Sequence, residues 1–191
     1  MFQYYLCFKP FGTISQFSPE GNHPTLADLN FEFPKDVYSV GRLDTDSEGL
    51  LLLTNDNHLK TKLLDPKKHY KKIYWVQVEG DVNDDAIHNL QNGVEISIKG
   101  KKYLTKKAAV RKLSESEYQL LPERNPPIRF RKNIPTTWIE IILTEGKNRQ
   151  VRRMTAKVNH PTLRLVRWGI ENYTLANYTI GEVKQLTQFK L

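Results

Sequence analysis

The run VGRLDTDSEGLLLLTND, residues 40–56, sets Asp44, Asp46 and Glu48 at alternate positions of one short loop, with Asp56 just past four leucines. Carboxylates at this spacing suggest two kinds of chemistry. One is calcium binding, because Asp44, Asp46, Glu48 and Gly49 fall at positions 1, 3, 5 and 6 of an EF-hand-like loop. Such a loop needs a bidentate Glu at position 12 and flanking helices. Asn55 stands there instead, and strand-like sequence follows the glycine, so calcium is disfavoured. The other is covalent or acid–base work by one carboxylate. Asp44 is placed best for it, on the tight turn where Gly41-Arg42-Leu43 meets Thr45. A turn can project a single side chain while the segments on either side hold it still. A third possibility makes all four acids turn and capping groups, since Asp side chains commonly bind nearby backbone N–H groups. Residue types alone leave the last two open.

Other metal chemistry finds little support. The five histidines show no ligand spacing. Cys7 is the one cysteine, which excludes an intramolecular disulfide and a multi-cysteine zinc site. Within YYLCF it reads as a small buried hydrophobe. Neither a metal nor a cofactor is expected.

The net charge is +8, and its distribution is uneven. Residues 1–60 carry 4 basic and 8 acidic side chains, whereas residues 99–132 carry 11 basic and 3 acidic. Residues 146–167 carry 7 basic and none acidic. Cations concentrated this way, interleaved with aromatic and planar groups, are the footprint of a polyanion binder, and nucleic acid is favoured over a membrane surface. No apolar run approaches the roughly 20 residues of a membrane span. The N-terminus MFQYYLCFKP lacks the features of a signal peptide, so a cytoplasmic protein is expected.

The elements that must position these residues follow from pattern. YYLCFKP reads as a buried strand and TISQF as a second short one, with one helical turn near TLADL. LLLL fits a strand buried on both faces, though periodicity alone does not exclude a helix. Asn55 or Asp56 is placed to cap a helix that buries Leu59, Leu63 and Leu64 and ends at Pro66. KKIYWVQVEG is a strand, residues 83–92 a helix with acids in its first turn, and a hairpin turns at Lys99-Gly100. AAVRKL and YQLLPE continue the β pattern, and residues 122–135, with four prolines, read as an extended basic loop. TTWIEIILTEG is a strand. NRQVRRMTAKVN is a helix with Val151, Met154 and Val158 on one face and most of its cations elsewhere. TLRLVRW returns as a strand, with one or two more at the C-terminus. The expected class is α+β with a mixed, mainly antiparallel sheet and flanking helices, in one domain over residues 1–191.

GRLDTDSEGLLLLTND is similar to the signature of the pseudouridine synthases that act on ribosomal RNA, in the branch that includes the small-subunit and several large-subunit enzymes. YYLCFKPFGTISQF before it, and LLDPKKHYKKIYWVQVEG and LTEGKNRQVRRMTAKV after it, extend the resemblance over essentially the whole chain. The resemblance implies the family's fold, with a catalytic cleft between two lobes. It implies that Asp44 is the nucleophile, attacking the target uridine at C1′ of the ribose or C6 of the base. The glycosidic bond breaks, the uracil turns, and a carbon–carbon bond forms through C5. Nothing is consumed, so no cofactor is needed. Tyr74 matches the family's active-site tyrosine, able to stack on a flipped base and to carry a proton. Arg152 matches the basic residue that pairs with the aspartate, with Arg153 as the neighbouring alternative. Arg42 is expected to open or hold the RNA and Leu165 to pack under the base. Lys147, Arg149, Arg153 and Arg167 are expected to hold phosphates.

Many family members carry an N-terminal RNA-binding module. Here YYLCFKP starts almost at residue 1, so that module is expected to be absent, as in the short large-subunit subtype. In that light, Arg129, Arg131 and Lys132 of the basic loop are expected to supply RNA contacts. After LVR the family's Arg-Ile-Gly is replaced by Gly169-Ile170-Glu171. The implied partner is ribosomal RNA, most plausibly 23S, free or in a precursor particle, bound by a monomer without a membrane. The alternative is a non-catalytic RNA-binding or ribosome-assembly protein on the same fold.

Overall fold

A computed structural model describes residues 1–128 and 134–190. Its chain divides into two compact units, residues 1–70 with 166–191 and residues 71–165.

Unit 1 is built on Leu50 to Leu53. They lie in β3 (Glu48–Thr54), every residue of which is buried. β3 pairs antiparallel with β1 (Tyr4–Lys9) and with the two-residue β2 (Tyr38–Ser39). It pairs parallel with the second half of β9 (Thr162–Ile170), and β11 (Val183–Leu186) covers the far side of β1. Because every residue of β3 is buried, both faces of the strand are covered, which is why four leucines run together. Tyr5, Cys7, Leu26, Val37, Leu51 and Leu53 form a core cluster; Phe31 and Phe33 meet the Tyr5 ring edge-on, and Phe17 meets Phe33 in the same way. The helix α1 (Asn57–Leu64) follows β3. The Asp56 carboxylate caps it, accepting from the Leu59 amide at 3.0 Å. That hydrogen bond, chiefly, holds the Asp56 carboxyl below its ordinary pKa.

Two expectations fail in this unit. TISQF forms no strand; its backbone bonds go to the facing loop, Ile14 N to Pro24 O and Leu26 N to Gln16 O. Leu64 is not buried with Leu59 and Leu63 but is 49% exposed, because it is the last residue of the helix and falls beyond the core.

In unit 2, β4 (Lys72–Glu79), β8 (Thr136–Leu143) and β7 (Ala109–Lys112) form an antiparallel set with β8 in the middle. Their inward side chains, Val76, Val78, Val110, Ile139 and Ile141, meet α2 (Asp84–Asn92) and α4 (Gln150–Lys157) through Ala86, Leu90, Val151 and Met154. Asn83 caps α2. The hairpin of β5 (Glu95–Ile98) and β6 (Lys101–Leu104) turns at Lys99 and Gly100, both at positive φ. YQLLPE does not continue the sheet. Ser114 and Glu117 close a capping box that starts the short helix α3 (Glu115–Tyr118) instead. Tyr118 then stacks on Trp138. The two C-terminal strands are β11 and β10 (Tyr173–Thr174), which pairs with β9 across a turn at Glu171. Glu171 takes φ 51 there, so the turn is made although the sequence departs from the family's glycine. Both units mix helices with mainly antiparallel strands, the expected α+β class. No helix among the described residues is long and apolar enough to cross a membrane.

Candidate active site

The acidic loop of unit 1 is held from inside. Ser15, 3% exposed, bonds the Leu43 residue twice: its Oγ donates to the Leu43 carbonyl at 2.9 Å and accepts from the Leu43 N–H at 3.0 Å. Ser39 Oγ donates in turn to the Ser15 carbonyl at 3.0 Å. The Gly12 N–H donates to the Thr45 carbonyl at 2.8 Å, and the Ser47 N–H closes the turn onto the Asp44 carbonyl at 3.0 Å. Residues on both sides of Asp44 are therefore fixed to a separate segment, while Asp44 itself is only half-buried. Nothing in the sequence pattern pointed to Ser15, since a serine in a run read as a strand carries no signal for a contact 28 residues away.

Glu48 is buried in β3, and Asp46 is half-buried. The buried Lys9 donates its Nζ protons to the carbonyls of Pro10 and Thr13. Burial pulls the Lys9 pKa down to about 8, against the attraction of Cys7, Glu48 and Asp46, with Arg167 adding a small push the same way. Burial likewise pushes the Cys7 thiol up to about 12, where it is inert. Gly49 is where β3 meets β9. A Cβ there would stand 2.4 Å from the Arg167 backbone nitrogen, and its φ of +122 suits only glycine. Arg167 was expected to reach phosphates. It is instead 5% exposed and donates Nε to the Leu50 carbonyl at 2.7 Å, an interior role in unit 1. Arg42 is exposed.

The other expected residues lie in unit 2. Successive strand residues face opposite sides. Tyr74 is half-buried and packs on the core cluster that contains Val76 and Leu165, whereas Trp75 is 4% exposed on the other face and donates to Glu140. Leu165 lies within that cluster, 6% exposed. Arg149, in the left-handed conformation, is the N-cap residue of α4, followed on the helix by half-buried Arg152 and Arg153. Val151, Met154 and Thr155 form the buried face of that helix, with Val158 packed against it.

A buried acid fixes the basic turn before α4. Glu145 accepts from the Tyr103 hydroxyl, from the Lys106 N–H at 2.9 Å and from Gln150 Nε2 at 2.6 Å. Burial alone would raise the Glu145 pKa, but the bonds from Tyr103, Lys106 and Gln150, with Lys147 nearby, outweigh it and lower the pKa. The same bond to Glu145 raises the Tyr103 hydroxyl to about 12. Lys147 Nζ sits 4.9 Å from the centre of the Tyr103 ring, and Arg153 donates to the Ser97 carbonyl of β5. Lys147 and Arg149 themselves are exposed. Arg129, Arg131 and Lys132 lie outside the described residues. Among the described residues no three His, Cys, Asp or Glu side chains are gathered as a metal ligand set.

The family model described as RNA pseudouridylate synthase matches residues 3–157. The ribosomal large subunit pseudouridine synthase E of Vibrio vulnificus is 49% identical over 179 residues, covering 94% of this chain and 73% of the relative. The protein of the same name from Xanthomonas campestris is 48% identical over 174 residues, covering 91% and 90%. Among solved structures, a crystal structure of pseudouridylate synthase superposes with a TM-score of 0.77 at 27% identity, covering 98% of this chain and 71% of the other. Sequence and fold thus agree over both the acidic loop and the basic helix, and the chain belongs to the RNA pseudouridylate synthase family as an enzyme that isomerises uridine in RNA.

Proposed function

We propose that the chain converts one uridine of large-subunit ribosomal RNA to pseudouridine, with Asp44 as the nucleophile. The supporting observation is the pair of hydrogen bonds between Ser15 and Leu43, which holds the peptide just before Asp44 while leaving Asp44 partly accessible. A covalent catalyst must meet its target atom at a set distance and angle, and a loop pinned this way gives that control. The relatives that act as ribosomal large subunit pseudouridine synthases support that class of RNA.

Asp44 attacks at C1′ or C6 and the glycosidic bond breaks. The uracil turns and rejoins the ribose through C5, and the bond to Asp44 breaks, which returns the free carboxylate. C5 gives up a proton and N1 ends with one, so uridine and product are isomers and no other reactant is needed. Tyr74 stacks on the base and carries the proton; Arg152 is the basic partner of the aspartate. A stacked uridine must first be flipped out, at a cost of a few kcal/mol. Arg42, Lys147, Arg149 and Arg153, together with Arg129, Arg131 and Lys132, hold the RNA backbone, so affinity falls steeply with salt. Arg167 and Leu165, both interior, support the site from within their units. The enzyme acts as a cytoplasmic monomer, which sedimentation of the purified chain with and without RNA tests.

The decisive experiment compares wild type with Asp44→Asn on undermodified large-subunit RNA, mapping pseudouridine by chemical labelling. The expected loss exceeds about a thousandfold, as for removal of other covalent nucleophiles. A fully active Asp44→Asn removes the nucleophile assignment. A wild type that binds the RNA and never modifies it favours a non-catalytic assembly role.

A further inference from the structure

Tyr38 and Leu64 are large apolar side chains that unit 1 leaves 55% and 49% exposed. They are brought onto one strip. Lys60 and Leu64 stand four residues apart on α1 and so share a face. That face lies along residues 38–41: Lys60 Nζ is 5.7 Å from the Tyr38 ring centre, and Leu64 Cδ2 lies 3.2 Å from where a Cβ on Gly41 would stand. A side chain at Gly41 would crowd Leu64, so the glycine lets strand and helix close on each other. The next residue is the exposed Arg42, then Leu43 and Asp44. The surroundings are cationic. Residues 57–70 carry Lys60, Lys62, Lys67 and Lys68 against Asp65, in a unit whose first 60 residues are net acidic.

We propose that this strip is a stacking platform for an unpaired nucleotide of the substrate RNA beside the target uridine. The Tyr38 ring takes the base, Leu64 extends the apolar floor, and Lys60 and Arg42 meet the adjoining phosphates. Such a surface fits single-stranded RNA because aromatic stacking and backbone neutralisation are both supplied within a few ångströms. Its frame is shared with the acidic loop. Tyr38 and Ser39 pair with β3, and the Val40 N–H donates to the Leu52 carbonyl at 2.7 Å. A base held on Tyr38 is thereby indexed to Asp44. This rests on the chain being an RNA-modifying enzyme, and it assigns unit 1 an RNA contact outside the two basic segments.

The test uses the whole chain and a fluorescently labelled, unmodified large-subunit RNA transcript, read by anisotropy, with pseudouridine formation measured in parallel. Tyr38→Ala is expected to raise Kd and KM about tenfold, the size of one lost base stack, with the loss falling on KM rather than kcat. Tyr38→Phe should stay within about twofold of wild type, because the ring does the work. Lys60→Gln should weaken binding and flatten its salt dependence. Unchanged Kd in Tyr38→Ala overturns the proposal, as does an equal loss in Tyr38→Phe. Unchanged RNA binding with weakened attachment to a ribosomal precursor particle also overturns it, in favour of a protein partner. Asp44→Asn serves as the separate control. If it remains active the nucleophile reading fails, while the binding comparison at Tyr38 still stands.

Discussion

The acidic loop of unit 1 and the basic turn of unit 2 solve the same problem with opposite chemistry. Each carries charged side chains, and each is immobilised by a buried polar group, brought in from a distant segment in the first and built into the turn itself in the second. In the acidic loop that group is neutral, the Ser15 hydroxyl on both polar atoms of Leu43. In the basic turn it is the Glu145 carboxylate, which gathers Tyr103, the Lys106 amide and Gln150. A buried acid is tolerable there because three donors and a nearby lysine stabilise its charge. The comparison teaches that the residue which fixes a charged segment need not share its charge, and that its partners can lie far off in sequence, 28 residues for Ser15 and Leu43 and 42 for Glu145 and Tyr103.

The comparison breaks most easily at Gly49, where unit 1 has no slack. Gly49→Ala puts a Cβ into the Arg167 backbone at a φ that alanine avoids. The expected cost is about 4 kcal/mol or more, read by denaturant unfolding. Near-normal stability would mean that β3 and β9 are less tightly apposed than described.

Removing the buried acid comes next. Glu145→Ala strands three donors and should cost about 3 kcal/mol, with weakened RNA binding as the α4 turn loosens. Glu145→Gln keeps the shape and should cost less, which also permits a pH test. The Glu145 pKa is lowered in the fold, so its contribution is present above the ordinary carboxyl pKa and is lost as pH falls through the folded value. The stability difference between wild type and Glu145→Gln should therefore shrink in acid.

Ser15→Ala leaves the Leu43 N–H and carbonyl without their partner and should cost about 2 kcal/mol. Its particular signature is a fall in kcat, about tenfold, with RNA affinity kept, because the loop is misplaced while the binding surface is intact. An equal loss of affinity would reduce Ser15 to a general structural role.

The smallest effect is at Lys9. Its pKa is depressed to about 8 from the ordinary 10.5, so above pH 8 the unfolded chain holds the proton that the folded chain has released. Stability therefore rises with pH in that window, by about 1 kcal/mol from pH 8 to 9. Lys9→Met should lack that increment, as differential thermal melts would show.

Much of the fold was legible because its signals are local. Four leucines between turn residues, the acids that open the helix at residues 83–92, and Lys99-Gly100 between two short runs each specify an element from neighbours in sequence. Local signals misled where a longer-range partner decided. Ser15 lies in TISQF, whose alternation suggests a strand, yet its backbone and hydroxyl are claimed by residues 24–26 and 43. YQLLPE is β-like in composition, yet the Ser114–Glu117 box starts a helix just before it. Arg167 looks like a surface cation in any sequence pattern, and only the pairing of β3 with β9 buries it.

By itself the sequence determined which residues are candidates for chemistry, the family through four ordered motifs, the uneven charge, and the α+β class. These follow from residue identity and short-range periodicity, which survive without coordinates. Only the tertiary structure decided that Ser15 clamps Leu43, that Glu145 ties the basic turn to Tyr103 across 42 residues of chain, and that Arg167 is interior. It also placed Tyr38 beside Lys60 and Gly41 beside Leu64. A hydrogen bond or a burial depends on what stands within a few ångströms, and for these residues that neighbour comes from a distant part of the chain.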